Sequence, residues 1–114
     1  MAITSEIIGK LGGADVEVIP VEGAASGSIG STEVLATIDV PAGETWLVAA
    51  IVQVTPASDS FYPQLQLGDE VSIAAPRGTH GLAATATESI SLSIRRGGRS
   101  GSDTFTGHVY AVKL

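Results

Sequence analysis

Two histidines, His80 and His108, and the carboxylate pairs Asp69-Glu70 and Asp15 with Glu17 are the residues whose types could carry acid–base or metal chemistry. Their spacing argues against it. A zinc centre gathers three or four ligands, and neither histidine has a second histidine or an acidic residue at the short spacings such centres use. The expectation is a surface His80 and a partly buried His108 hydrogen-bonded to backbone. Adjacent residues of a strand point to opposite faces, so Asp69 and Glu70 cannot act as a pair, and Asp15 and Glu17 read as solvated charges. Glycoside hydrolysis needs two carboxyls across a substrate cleft, which a chain of 114 residues has little room to build. Asp59 and Asp69 lack a surrounding loop of oxygen ligands for calcium.

Nucleophilic chemistry fares no better. There is no cysteine, and no serine sits in a G-x-S-x-G elbow. The glycine-rich stretches Gly27-Ser28-Ile29-Gly30 and Gly98-Arg99-Ser100-Gly101 lack the lysine and the strand–loop–helix setting of a phosphate cradle, so they read as turns. The chain is therefore expected not to be an enzyme and to need no metal or cofactor.

Two features could bind a partner. Arg95, Arg96 and Arg99 form a basic cluster on an otherwise acidic chain. They make either a solvated loop or a docking point in which guanidinium groups grip carboxylates in bidentate fashion. Trp46 with Tyr62 or Tyr110 could stack a sugar, but Trp46 shares its face with Val48, Ala50 and Val52 and reads as core.

Composition narrows the partners further. A formal net charge of −6 and a pI near 4.6 oppose binding to nucleic acid, whose phosphates require a basic face. Only 16% of residues are charged while 44% are hydrophobic, a surface with little protection against association. Without cysteine there is no disulfide framework. The first residues show neither the basic region nor the apolar run of a signal peptide, and no apolar run is long enough to span a membrane, so the expectation is a soluble product made in the cytoplasm.

The elements that must carry these residues are strands. Apolar and polar residues alternate throughout, and no dozen residues keep helical spacing without an interrupting Gly or Pro. Strands are expected over residues 15–21, with Pro20 marking an edge, and over 32–40. The turn Pro41-Ala42-Gly43-Glu44, with Pro41 expected at its first central position, leads into residues 45–55. That segment is apolar on both faces: Trp46, Val48, Ala50, Val52 and Val54 on one, Leu47, Ala49 and Ile51 on the other. It reads as a central strand or one whose outer face meets a partner. Residues 61–67 and 71–74 form a hairpin around Gly68-Asp69-Glu70. A loop is expected over 76–84, a half-exposed strand over 87–95, a long flexible loop over 96–102 and a closing strand over 105–114. The sum is an all-β domain, residues 14–114, a β-sandwich or jelly-roll-like barrel of seven to eight short antiparallel strands. Ahead of it lies an N-terminal arm, residues 1–13, whose Ile7, Ile8 and Leu11 either bury on a partner or pack as a first strand of the same domain.

The opening Ile8-Gly9-Lys10-Leu11-Gly12-Gly13, the block Val40-Pro41-Ala42-Gly43-Glu44-Thr45-Trp46 and the ending Gly107-His108-Val109-Tyr110-Ala111-Val112-Lys113-Leu114 resemble small virion proteins of tailed bacteriophages, particularly head-decoration proteins. The central block also resembles a signature of phage tail and fibre modules. The resemblance implies a β-sandwich or β-barrel that adds late to an assembled capsid, often as a homotrimer, and cements neighbouring capsomers at the virion surface. The implied partner is the major capsid protein. The arm residues Ile7, Ile8 and Leu11 and the basic residues Arg95, Arg96 and Arg99 are the expected contact points. A tail or fibre protein, or a carbohydrate-binding module for host attachment, is the competing expectation.

Overall fold

The chain's structure, a computed structural model, describes residues 16–25, 30–55, 63–72, 78–96 and 103–114. They form β1 (Val16–Ala25), β2 (Thr32–Ile38), β3 (Trp46–Thr55), β4 (Gln64–Leu67), β5 (Glu70–Val71), β6 (Gly78–Ala86), β7 (Ile90–Arg95) and β8 (Asp103–Lys113). The arm over 1–13, with Ile7, Ile8 and Leu11, and Arg99 of the basic cluster lie outside the described residues.

Two four-stranded antiparallel sheets, in the orders β1-β8-β3-β6 and β2-β7-β4-β5, face one another. Strands pair as β1 with β8, β2 with β7, β3 with β6 and β4 with β5, so the pairs nest like those of a single long hairpin. The pairings β3–β8 and β4–β7 then roll that hairpin up. Every link except the β4–β5 turn crosses from one sheet to the other, which is the winding of a jelly roll.

Alternation aims one set of side chains between the sheets. Trp46, Val48, Ala50, Val52 and Val54 of β3 meet Leu65 and Leu67 of β4, Leu92 and Ile94 of β7 and Phe105, Val109 and Ala111 of β8 in one buried cluster. Trp46 is 1% exposed and donates its indole N–H to Glu44 Oε1 at 2.9 Å. In β2 the register slips between Val34 and Ala36, and that bulge turns the consecutive Leu35 and Ala36 both inward.

Glycine shapes three places. Gly68 takes φ +58° at the first central position of the β4–β5 turn while Asp69 does not, the type II′ pattern that suits the twist of a hairpin. Gly43 takes φ +82° at the second central position of its turn, and the Glu44 N–H donates to the Pro41 carbonyl at 3.1 Å. Pro41 is thus the first residue of that turn and not its first central one, because the residue that must accept positive φ is Gly43. At Gly107 of β8 a Cβ would stand 2.1 Å from the Ile51 carbonyl oxygen and 2.6 Å from Val52 Cα.

The 76–84 loop expectation is overturned: β6 runs from Gly78 to Ala86 along the edge of its sheet. Its glycine, alanine and threonine content hides the alternation, while its backbone pairs with β3 from Trp46↔Ala86 to Val54↔Gly78. Pro20 does sit on an edge strand, since β1 ends its sheet.

Candidate functional site

The outer face of β1-β8-β3-β6 follows from register. Val16, Val112, Leu47 and Thr85 form one cross-strand row, and Val18, Tyr110, Ala49 and Ala83 the next. Pro20, His108, Ile51 and Gly81 form a third, and Glu22, Thr106, Gln53 and Thr79 a fourth. The first three rows are mostly apolar and the fourth is polar. Val18 is 52% exposed and Ile51 50%, with Val16, Leu47 and Val112 also open to water. The His108 and Tyr110 rings lie 5.9 Å apart on this face, tilted by 38°. Among the described outer positions of the sheet, Glu22 alone carries a formal charge.

The opposite outer face has another chemistry. Ser91 and Ser93 of β7, Gln64 and Gln66 of β4, Thr32 and Thr37 of β2 and the exposed Arg95 occupy it, with Val34 and Val71 as apolar exceptions. One side of the sandwich is mostly polar and the other mostly apolar.

Arg95 and Arg96 separate. Consecutive residues at the end of a strand point to opposite sides, so Arg95 faces water while Arg96 turns inward. The Arg96 guanidinium pairs with the Asp103 carboxylate at 2.5 Å, both side chains fully buried. Arg96 therefore serves the domain's interior and is withdrawn from the surface contact set. Its backbone also bonds to Gly30 and Ser31, tying the end of β7 to the segment before β2.

The histidines exchange the environments expected from sequence. His80 is buried, 5% exposed, and His108 is exposed. The Ser72 Oγ accepts the Leu65 N–H at 3.0 Å and shares a hydrogen bond of 2.8 Å with His80 Nδ1, whose direction is set by the imidazole tautomer. Burial pushes the His80 pKa down, because the protein interior disfavours the imidazolium. This pair links the β5 end of one sheet to the β6 edge of the other, and sequence offered no signal for it. A serine beside a histidine is the first part of a nucleophilic arrangement, but both side chains are enclosed between sheets.

An open depression of about 450 Å³ near the hairpin tip is lined by Asp69, Glu70, Glu88, Ser89 and neighbouring residues, without a histidine, lysine or arginine among its described walls. No group of three or more His, Cys, Asp or Glu among the described residues is arranged to hold a metal ion. No described helix is long and apolar enough to cross a membrane. The sugar-stacking arrangement on Trp46 is excluded by that ring's burial. Of the surfaces described, the outer face of β1-β8-β3-β6 is the most apolar, with Glu22 as its one charged position among the described residues. Compared with known proteins, the chain matches no family model and no curated relative.

Proposed function

We propose that the chain is a non-enzymatic structural protein of a virion, a decoration protein that adds to a phage head by binding the major capsid protein. The observation that carries this reading is the apolar, nearly chargeless outer face of β1-β8-β3-β6 on a chain of net charge −6, through which the chain would associate with itself while the arm and the arginines anchor it on the capsid protein. Such a face is costly to leave in water and is stabilised by a covering surface.

The resemblance of the three sequence blocks to head-decoration proteins supplies the kind of assembly. Jelly rolls serve in capsids, lectins and cupins alike, so the fold agrees with this role without choosing it. Arg95, exposed on the hydrated face, together with Arg99 and the arm residues Ile7, Ile8 and Leu11, are the proposed capsid contacts. On a capsid the same small contact recurs at many symmetry-related sites, so modest affinities add through multivalency.

The test is sedimentation of the purified chain with heads of the encoding phage assembled without it. Saturable, stoichiometric co-sedimentation that drops when residues 1–13 are deleted is the expected result. A chain left in the supernatant at micromolar concentration overturns the reading, and binding to tails in place of heads moves the protein to a tail or fibre role.

A further inference from the structure

We infer that the apolar face of β1-β8-β3-β6 is covered by a second copy of the same chain, packed sheet against sheet about a two-fold axis. The inference rests on the reading above only in treating this face as an association surface.

Size is the first argument. Four strands about 4.8 Å apart, rising about 3.3 Å per residue over some ten residues, present a face of roughly 600 Å² in projection. Side-chain relief raises the accessible area toward the roughly 800 Å² per partner of a standard stable interface. The three apolar rows would be its dry centre, and the row Glu22, Thr106, Gln53 and Thr79 its polar rim.

Charge is the second. Two copies each carrying −6 repel one another wherever acidic surface meets acidic surface. This face has only Glu22 among its described positions, at the polar end, so a copy can approach it with neither like-charge repulsion nor a charged group to desolvate. A partner recognised by charge would need a complementary patch to steer and hold it, and the face offers none.

Geometry is the third. Copies could instead join edge to edge, by adding a strand beside β1. Pro20 removes a backbone donor from that edge strand, a device that discourages such pairing. The apolar rows of two such faces can stack in the aligned manner of sandwich layers. A two-fold axis brings like surface to like surface, whereas the homotrimer that the resemblance implies would join unlike patches.

The chain contains no cysteine, which makes a direct test clean. Ala49→Cys, in the middle of the apolar rows, is expected to form an interchain disulfide on mild oxidation, and Ser93→Cys on the opposite sheet is not. Light scattering is expected to give twice 11.5 kDa for the unaltered chain. Ile51→Glu is expected to weaken that pair about 30-fold or more while Ser93→Glu leaves it intact. A monomer at hundreds of micromolar, a trimer, or trapping no better at Ala49→Cys than at Ser93→Cys overturns the inference. Head binding by a monomer leaves the decoration reading standing without this one, and a dimer that ignores heads does the reverse.

Discussion

The Ser72 hydroxyl and the His80 imidazole, 2.8 Å apart and buried, join the two sheets at the edge where β5 and β6 lie. Burial makes the neutral ring the favoured form, because the interior disfavours the imidazolium.

A dependence of stability on pH follows. The folded pKa of His80 lies below the ordinary 6.5, so below that pH the unfolded chain takes up a proton that the folded chain resists. The stability tied to His80 is therefore fully present above pH 6.5 and is lost as the pH falls toward the lowered folded value. Urea midpoints measured in steps from pH 7.5 to 5.5 should decline, and His80→Gln should flatten that decline. An equally steep decline in the variant would assign the effect to other groups.

Asp103 is expected to be the most sensitive charged position. Both members of its ion pair with Arg96 are fully buried, and removing the carboxylate takes a paired opposite charge away from a buried guanidinium. Asp103→Ala should cost about 3 to 5 kcal/mol in urea unfolding. Replacing both residues by apolar ones of similar size should cost less than the single change. A loss under 1 kcal/mol for Asp103→Ala would contradict a desolvated pair.

Gly107→Ala is expected to be disruptive although it adds one methyl group. Its Cβ would fall 2.1 Å from the Ile51 carbonyl, and backbone cannot swing aside as a side chain does. A loss of about 3 kcal/mol or more is expected, against near neutrality for Thr106→Ala at the exposed neighbour. Thermal melts followed by circular dichroism would separate the two.

Trp46 is the sole tryptophan and lies inside the sandwich, so emission should be blue-shifted in the folded chain and should move red in one step on unfolding. Trp46→Ala should lose about 3 to 5 kcal/mol. Emission already red-shifted before unfolding would be incompatible with the packing described.

Strand character was legible wherever large side chains alternate, and β3 is the clearest case. Its inner Trp46, Val48 and Val52 and its outer Leu47 and Ile51 were separable by period alone. The double-sided apolar character of β3 also pointed to half of the candidate face. The other half, Val16, Val18, Tyr110 and Val112, depends on which strands flank β3, and β1 pairs across most of the chain's length with β8. Such distant pairing is decided by closure of the whole roll and leaves no local trace. β6 was illegible for another reason: Gly78, Gly81, Ala83 and Ala84, together with Thr79 and Thr85, give neither face a distinct hydrophobicity. The three arginines looked like one cluster because sequence distance conceals the reversal of direction between Arg95 and Arg96.

The nesting of the strand pairs also sets an order of events on the ribosome. β8 is made last of the eight described strands, yet its place is between β1 and β3, and β7 must likewise come to rest between β2 and β4. The emerging chain holds both gaps open until those strands are made, and β3 has no neighbour on either side until β6 arrives. Fragments that stop short of β8 should therefore be clients for chaperones or seeds for inclusion bodies.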